Sequence, residues 1–463
     1  MAKIEVDFGK AAGRIRPLHG LCNGPVAFGA LLDVSHRYRE LGVPWVRLHD
    51  TNWPHPREVD VPQIFPDFDA NPDDPASYCF GPTDDYLRSI LATGARIVYR
   101  LGVSIEHYPR KRYVFAPPDF DKWARIALGI ARHYTEGWAD GIENAVEYWE
   151  IWNEPELGDR MWSGTFEEYL DLYRAAATTF KRHNPNLKVG GFAATCAESP
   201  QVEQFLAYCR EHDVPLDFYS WHYYASHPDR FVRGAAAVQR LLEKYGFGSI
   251  PTFLDEWNYL AVPWSRLWAE GEFLRRDAFE RMKNEEGAAF AAATLIRMQD
   301  APVDIMNYYD GQPMTWFCGL FDYYGAPQRT FYAFKAFNEL LACPERVAAS
   351  CDVPDLDVLA GRSSDGETGA ALIANFGAHE GKITISLQGV PPENAQPEIL
   401  MVDRDRGLEQ VLSVNAAATA SGTANEPKAN QPPAEIAGNS LDLFIRRHAV
   451  CLIRFSGIAP KAP

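Results

Sequence analysis

The chain has 463 residues and a formal net charge of −17 at pH 7. This acidic balance argues against nucleic acid or a membrane surface as a partner, because both require a basic footprint. No apolar run is long enough to span a bilayer, and the N-terminal residues lack an apolar signal core. The eight cysteines are scattered without metal-ligand spacing, which indicates reduced core residues of a cytoplasmic protein. Composition leaves a homo-oligomer open.

Strand and helix signals alternate along the first three quarters of the chain, which predicts βα units. Eight such units predict an α/β fold, a (β/α)8 TIM barrel over residues 14–342. The predicted strands are 18–22, 45–50, 96–101, 146–152, 187–192, 218–223, 253–257 and 304–309. The predicted helices are 28–41, 83–93, 119–138, one opening at the Thr165 capping box, one opening at Ser199-Pro200, and 329–341. Residues 259–286 are expected to form a long loop that reshapes the pocket.

Residues beyond Pro344 have a different pattern. Short alternating stretches at 356–360, 369–375, 382–387 and 450–455 predict antiparallel strands. A run of Ala, Thr, Asn and Pro at 415–438 predicts a long loop between them. Residues 4–8 are expected to join these strands and so bring the two ends of the chain together.

The predicted strand at 146–152 runs directly into Asn153, Glu154 and Pro155. Pro155 cannot donate to a strand ladder and disfavours helix at the residue before it, so the strand must end there. Glu154 is therefore expected at the C-terminal end of a barrel strand, where barrel enzymes have their catalytic residues. Apolar surroundings such as Trp152 would favour the protonated carboxyl that a general acid needs. A solvated glutamate that opens a loop is the alternative.

A second predicted strand ends in Asp255, Glu256 and Trp257. Glycoside hydrolysis requires at least two carboxyl groups, and the ends of two parallel strands can supply them. Asp255 competes with Glu256 for the second carboxyl. Because neighbouring residues on a strand face opposite ways, only one of them is expected to point toward the substrate.

The three segments 152–155, 217–224 and 255–257 give the chain a family resemblance over roughly residues 14 to 342. They resemble clan A of the glycoside hydrolases, and most closely family 39, the β-xylosidase and α-L-iduronidase family. The resemblance implies that Glu154 is the acid/base and Glu256 the nucleophile. It also implies a β-sandwich accessory domain, for which we predict residues 1–13 together with 343–463.

The nucleophile must stay ionised, which requires cationic or hydrogen-bonding neighbours. Arg47, at the end of the second predicted strand, is the candidate cation, and Tyr224 is the candidate hydroxyl donor that would hold the pKa of Glu256 low. His222 lies two residues before Tyr224 and so shares its strand face. The resemblance implies that His222 and Tyr224 line the site beside the nucleophile, although Tyr223 competes with Tyr224 for this position.

Other polar and aromatic residues are candidates for binding the sugar. Asn153 is expected to contact the hydroxyl next to the anomeric centre, and His49 follows Arg47 by two residues on the same strand face. Trp316 could stack on the sugar, with a packing role as the alternative. Glu150 is expected to be a buried partner for a cation such as Arg100 rather than a catalyst.

The sequence has no metal-ligand spacing, no glycine-rich phosphate loop and no Gly-x-Ser-x-Gly elbow. We therefore predict cofactor-independent hydrolysis of an oligosaccharide by a retaining exo-glycosidase, with β-xylosidase as the leading specificity. A β-galactosidase, β-glucosidase, α-L-arabinosidase or endo-acting polysaccharide hydrolase would show the same motifs. A non-catalytic carbohydrate-binding barrel is the alternative of another class. The segment 104–108, after the third predicted strand, matches no motif.

Overall fold

The computed structural model describes residues 2–51, 57–313, 316–390, 397–411, 435–437 and 439–458. The strands within these ranges are β1 (Ala2–Arg14), β2 (Gly20–Cys22), β3 (Val26–Ala27), β4 (Leu32–Asp33), β5 (Trp45–Leu48), β6 (Arg96–Leu101), β7 (Tyr148–Ile151), β8 (Lys188–Ala194), β9 (Phe218–Ala225), β10 (Thr252–Tyr259), β11 (Ile305–Tyr308), β12 (Glu345–Cys351), β13 (Leu356–Arg362), β14 (Thr368–Asn375), β15 (Gly381–Gln388), β16 (Glu398–Val402), β17 (Gly407–Gln410), β18 (Glu435–Ala437), β19 (Ser440–Ile445) and β20 (Ala449–Ser456).

The α-helices within the same ranges are α1 (Ser35–Leu41), α2 (Val61–Ile64), α3 (Gly81–Leu91), α4 (Phe120–Glu136), α5 (Phe166–His183), α6 (Pro200–Glu211), α7 (Asp229–Lys244), α8 (Trp264–Ala269), α9 (Glu272–Lys283), α10 (Glu285–Arg297) and α11 (Arg329–Leu340). Short 3-10 helices lie at Pro75–Ser77, Pro155–Arg160 and Met298–Asp300. None of the helices in the described ranges has the length and apolar character needed to cross a bilayer.

Eight parallel strands close into a barrel in the order β10-β11-β2-β5-β6-β7-β8-β9. This confirms the predicted TIM barrel, and each strand lies within a few residues of its predicted position. Aromatic rings fill the barrel where the strands begin: the Tyr148 ring lies 4.8 Å from Phe253, which stacks on Phe218 at 4.6 Å. Because apolar side chains close that end, the polar side chains collect at the C-terminal ends of the strands.

Two predictions of secondary structure are wrong. The helix predicted at 28–41 begins only at Ser35, because Phe28, Gly29 and Ala30 have positive φ and turn the chain between β3 and β4. The loop predicted at 259–286 is mostly helical, since it contains α8, α9 and the start of α10. Neither α8 nor α9 has a side-chain N-cap, so the sequence lacks the usual signal for a helix start.

The strands of the two chain ends form a ten-stranded sheet in the order β17-β16-β20-β14-β13-β12-β1-β15-β19-β18. β1 pairs antiparallel with β12 and parallel with β15, so the N-terminal strand joins the sheet as predicted. Residues from both halves of the sheet, including Ile4, Ile383 and Ile453, share one hydrophobic cluster. The sheet therefore curls over a common core in the manner of a sandwich, as predicted. The run at 415–438 lies outside the described residues except for Glu435–Ala437.

The contacts of the chain group into two compact units. One unit contains residues 18–262 and 300–326, and the other contains 1–17, 263–299 and 327–463. The first unit holds the closed barrel, and the second holds the curled sheet together with α8 to α11. A grouping of contacts does not define independently folding domains, so the domain boundaries at residues 13 and 342 stay a prediction.

Candidate active site

The end of β7 turns sharply at Glu154. The strand ends at Ile151, and both Trp152 and Glu154 have positive φ, of 71° and 43°. The indole N–H of Trp152 donates to the carbonyl of Met161 at 2.9 Å, and the amide of Glu154 donates to the carbonyl of Ala193 on β8 at 3.1 Å. These bonds hold a backbone conformation that non-glycine residues rarely adopt, a kind of strain that concentrates at functional sites. They fix the Glu154 carboxyl at the C-terminal end of the barrel.

Strand β10 brings both Asp255 and Glu256 into the barrel. Its pairing with β9 and with β11 shifts register between Leu254 and the residues that follow, as it does at a β-bulge. Both carboxyls consequently contact Arg47, through Asp255 Oδ2 and Glu256 Oε2, each at 3.3 Å. The expectation that only one of the two would face inward is wrong, because the bulge interrupts the strict alternation of side chains along a strand.

The Glu154 and Glu256 carboxyls lie close together across the barrel. An oxygen of each, with a ring nitrogen of His222, lies within 4.8 Å of the others. Retaining glycosidases separate their two carboxyls by about 5–5.5 Å and inverting enzymes by about 6.5–9.5 Å. The approach of the two carboxyl oxygens in this site is closer to the shorter separation, at which one carboxylate attacks the sugar itself.

Glu256 is held by two donors. The hydroxyl of Tyr224 donates to its Oε1 at 2.7 Å, and Arg47 Nη1 donates to its Oε2 at 3.3 Å. The hydroxyl of Tyr223 instead donates to Glu198 at 2.9 Å, so the contact with Glu256 belongs to Tyr224. Burial raises the pKa of Glu256, with the Glu154 charge adding to this effect while the charges of His222 and Arg47 and the Tyr224 bond oppose it. The expectation of a lowered pKa is therefore wrong, because desolvation outweighs the donors.

His222 contacts a carboxyl through each of its ring nitrogens. Its Nδ1 donates to Glu154 Oε1 at 2.7 Å and lies 3.7 Å from Glu256 Oε2, whereas its Nε2 lies 3.5 Å from Asp255 Oδ1. Burial alone would lower the pKa of His222, but Glu256, Asp255 and Glu154 outweigh it and raise the pKa to about 10. His222 is therefore a cation at neutral pH.

Arg47 contacts three acids of the site, Glu150, Asp255 and Glu256. Its Nη2 lies 2.6 Å from Glu150 Oε2 and donates to Asn153 Oδ1 at 2.6 Å. Glu150 is therefore a buried partner for a cation, as predicted, but that cation is Arg47 rather than Arg100. Arg100 pairs with Asp60 at 2.8 Å, although it is the register neighbour of Glu150 on β6. Among the described residues, the amide nitrogen of Asn153 is buried without a hydrogen-bond partner. This donor is available to a substrate hydroxyl.

His49 and Trp316 occupy different kinds of position. His49 is buried, with Nε2 3.3 Å from Asp50 Oδ2, and its Nδ1 has no hydrogen-bond partner within the described part of the chain. Burial, together with Arg100, Arg47 and His222, holds the pKa of His49 well below its usual range, so its ring is neutral. Trp316 lies after β11 with 65% of its surface exposed and its ring 6.0 Å from Phe317.

The sequence reading missed Asp50 and the role of the segment after β6. Burial raises the pKa of Asp50 to about 7, although 21% of its side chain reaches solvent. Its Oδ1 accepts the amide of Ile105 at 2.9 Å, and the buried Glu106 accepts the amides of Arg112 and Tyr113. Asp60 also accepts the amide of Ser104 at 2.7 Å, so the unassigned segment 104–108 belongs to a loop held by three carboxyls. The adjacency of Asp50 to His49 was the available signal.

Among the residues described, Glu154, His222 and Glu256 are the one group of three or more acidic, histidine or cysteine side chains close enough together to bind a metal ion. Each already has a partner suited to acid–base chemistry, and hydrolysis of a glycoside uses the two carboxyls directly. We therefore assign no metal to the site.

Comparisons with known proteins agree with this geometry. The family model described as Glycosyl hydrolases family 39 matches residues 63–273. A β-xylosidase of Caldicellulosiruptor saccharolyticus is 27% identical over 73% of this chain and 72% of its own length. A β-xylosidase of Geobacillus stearothermophilus is 27% identical over 50% of this chain and 48% of its own length.

Solved structures extend the likeness over the whole chain. A glucosidase from Croceicoccus marinus superposes with a TM-score of 0.79 at 27% identity, covering 99% of this chain and 100% of that one. A monomeric β-xylosidase from Caulobacter crescentus superposes with a TM-score of 0.67 at 18% identity over 99% of this chain and 100% of that one, and shares the fold.

A closed parallel barrel with paired carboxyls at its strand ends, together with these relatives, defines the class of the protein: the chain is a glycoside hydrolase. Within that class, the family model over residues 63–273 and the curated relatives at 27% identity support glycoside hydrolase family 39.

Proposed function

We propose that this glycoside hydrolase is a retaining exo-β-xylosidase that acts on xylo-oligosaccharides, with Glu154 as acid/base and Glu256 as nucleophile. The observation that carries the retaining mechanism is the approach of the two carboxyl oxygens to within 4.8 Å. The β-xylosidase specificity is supported by the curated relatives at 27% identity.

In the first step, Glu256 attacks the anomeric carbon while Glu154 gives its proton to the departing oxygen. The glycosidic carbon–oxygen bond breaks and a bond from the sugar to Glu256 forms. In the second step, Glu154 takes a proton from water, and the resulting hydroxide attacks the anomeric carbon and releases Glu256 as a carboxylate. The sugar leaves with its original anomeric configuration because two inversions have taken place.

The neighbouring side chains have distinct proposed roles. Tyr224 and Arg47 orient Glu256, and His222 orients Glu154 through its 2.7 Å contact. The amide nitrogen of Asn153, which has no hydrogen-bond partner among the described residues, donates to the sugar hydroxyl beside the anomeric centre. A hydrogen bond at this hydroxyl tightens in the transition state.

The remaining binding roles belong to His49 and Trp316. Neutral His49 offers a second hydroxyl its Nδ1, which no side chain or backbone group in the described part of the chain engages. Trp316 offers an exposed ring for stacking on a sugar.

A β-glucosidase is the second candidate, and the glucosidase that matches 99% of this chain at 27% identity favours it. The two sugars differ by one hydroxymethyl group, so the sugar-binding end of the pocket decides between them. A panel of aryl β-xylosides, β-glucosides, β-galactosides and α-L-arabinosides, compared by kcat/KM, tests the specificity. We expect the xyloside to be the best substrate. A higher kcat/KM for the glucoside would replace the proposed specificity and keep the mechanism.

The same panel with a Glu154→Gln variant tests whether the barrel is catalytic. The variant should lose most of its activity on substrates with poor leaving groups, since it has no proton to donate. Equal turnover by the variant and the unmodified protein would indicate that a contaminating enzyme hydrolyses the substrates and that the barrel itself only binds carbohydrate. Release of a single terminal sugar from xylotetraose is expected of an exo-enzyme, and internal cleavage would show endo action.

We also propose that the protein resides in the cytoplasm. The eight cysteines are scattered along the chain without metal-ligand spacing, which fits reduced thiols in a reducing compartment. Cell fractionation with an antibody tests this, and recovery of the protein from the culture medium would contradict it.

A further inference from the structure

The residue preceding the proposed nucleophile has no place in the two-step mechanism, yet it is fully buried among charges. Asp255 is 0% exposed, with Oδ2 3.3 Å from Arg47 Nε and Oδ1 3.5 Å from His222 Nε2. Both distances are those of ion pairs rather than well-formed hydrogen bonds. The β10 bulge is what directs this carboxyl into the barrel beside Glu256, and bulges next to active sites commonly re-aim a side chain in this way.

We propose that Asp255 is a positioning residue of the proposed glycosidase reaction: its buried carboxylate holds the His222 ring, in its charged form, between Glu154 and Glu256. The charges that flank Asp255 support this assignment. Its carboxyl lies between the Arg47 guanidinium and the His222 ring, and these neighbours favour its ionised form against burial.

The groups that face His222 show why Asp255 is needed. Glu154 and Glu256 approach Nδ1, neutral His49 directly follows β5, and Asp255 is the acid at Nε2. Without Asp255, the Nε2–H of a charged ring would point at no anion inside a fully buried site. Buried charges of this kind lose their proton unless they are paired. Glu154 would then lose a cationic donor, and Glu256 would lose a cation 3.7 Å away.

The Glu150 side chain offers a matched control. Burial raises the pKa of Glu150 to about 8 against the opposing charge of Arg47, so this residue is mainly protonated at neutral pH. Replacing it with glutamine therefore removes a buried acid next to Arg47 while changing little charge. Asp255→Asn likewise preserves the shape of the side chain. It removes a full negative charge, because Arg47 and His222 overcome the effect of burial and lower the pKa of Asp255.

The test measures the ionisation of His222 by NMR on protein whose histidine rings are isotopically labelled. The signal that disappears in His222→Gln is the signal of His222. We expect His222 to be protonated on both nitrogens at pH 7 to 8 in the unmodified protein. Removing an opposite charge within about 4–6 Å shifts a pKa by about 1–3 units, so the pKa of His222 should fall by that amount in Asp255→Asn. Glu150→Gln should leave it in place.

Kinetics supply a readout that mere loss of packing would not move. Because Asp255 and charged His222 both remain ionised at acid pH, removing the Asp255 charge should lower the pKa of Glu256 and move the acid limb of kcat/KM to lower pH. A neutral His222 at pH 7 in the unmodified protein would overturn the proposal even if Asp255→Asn failed to fold. Equal shifts in Asp255→Asn and Glu150→Gln would also overturn it. Neither result bears on whether the protein hydrolyses xylosides, which the substrate panel decides.

Discussion

Replacing Tyr224 with phenylalanine removes one hydrogen bond from the proposed nucleophile and leaves its ring in place. In the structure, the Tyr224 hydroxyl donates to Glu256 Oε1 at 2.7 Å inside the barrel. A hydrogen bond to a charged group contributes about 1.5–3 kcal/mol, and one pKa unit corresponds to about 1.4 kcal/mol. Loss of the bond should therefore raise the pKa of Glu256 by about 1–2 units.

Because the nucleophile must be ionised to attack, a higher pKa makes activity fall earlier as the pH decreases. The acid limb of the kcat/KM profile, measured between about pH 3 and 10 on an aryl β-xyloside, should therefore move up by about 1–2 pH units. The alkaline limb should stay nearly fixed, since Glu154 is held by His222 and not by Tyr224.

Tyr223→Phe is the matched control for this experiment. Tyr223 is the neighbouring residue on β9, and its hydroxyl bonds to Glu198 rather than to Glu256. The acid limb of the control should coincide with that of the unmodified protein. If the alkaline limb of Tyr224→Phe moves while its acid limb stays fixed, Tyr224 serves the acid/base and the assignment of the two carboxyls is reversed.

Three further predictions follow from single contacts. Asn153→Ala should lower kcat/KM about 10- to 1000-fold on a xyloside but far less on the 2-deoxy analogue of that xyloside, because the Asn153 amide nitrogen has no other partner in the described residues. Equal losses on both substrates would show that Asn153 contacts another part of the sugar. Glu150→Gln should flatten the dependence of thermal stability on pH, because burial raises the pKa of Glu150 to about 8. The stability that protonated Glu150 contributes is complete below about pH 4.3 and is lost as the pH rises through about 8. An unchanged slope of Tm between pH 6 and 9 would show that Glu150 is ionised when buried. Thr165→Ala should cost about 1 kcal/mol of unfolding free energy without altering kcat, because it breaks the capping box with Glu168; no change in denaturant midpoint would refute that.

The barrel was predictable because each βα unit carries its own local signals. Helix α5 begins directly after the predicted capping box at Thr165, and β7 ends just before the Asn153-Glu154-Pro155 segment. The C-terminal ends of parallel strands all lie at the same end of a barrel. Acidic residues at the C-terminal ends of two such strands were therefore expected to lie near each other.

The partners of individual charges were not predictable in the same way. Arg47 on β5 reaches past β6 to Glu150 on β7, while Arg100, the register neighbour of Glu150, pairs with Asp60. Such pairings depend on side-chain directions in three dimensions rather than on spacing along a strand. The bulge in β10 leaves no local sequence signal, and the alternation rule consequently failed at Asp255.

The ionisation of Glu256 shows another limit of local reasoning. Its two donors were predictable from strand positions, but the balance between them and desolvation depends on how deeply the carboxyl is buried. Burial in turn depends on the loops that surround the strand ends. The loop after β6, pinned by Asp50 and Glu106, had no recognisable motif.

The covalent intermediate tests the central claim most directly. An activated 2-deoxy-2-fluoro-β-xyloside slows both steps of a retaining reaction but the second one more, so the sugar should accumulate on the nucleophile. Digestion of the trapped protein and mass spectrometry of its peptides should then place one fluoroxylosyl group on Glu256. A label on the neighbouring Asp255 or on Glu154, or turnover that inverts the anomeric configuration without any label, would contradict the proposed mechanism.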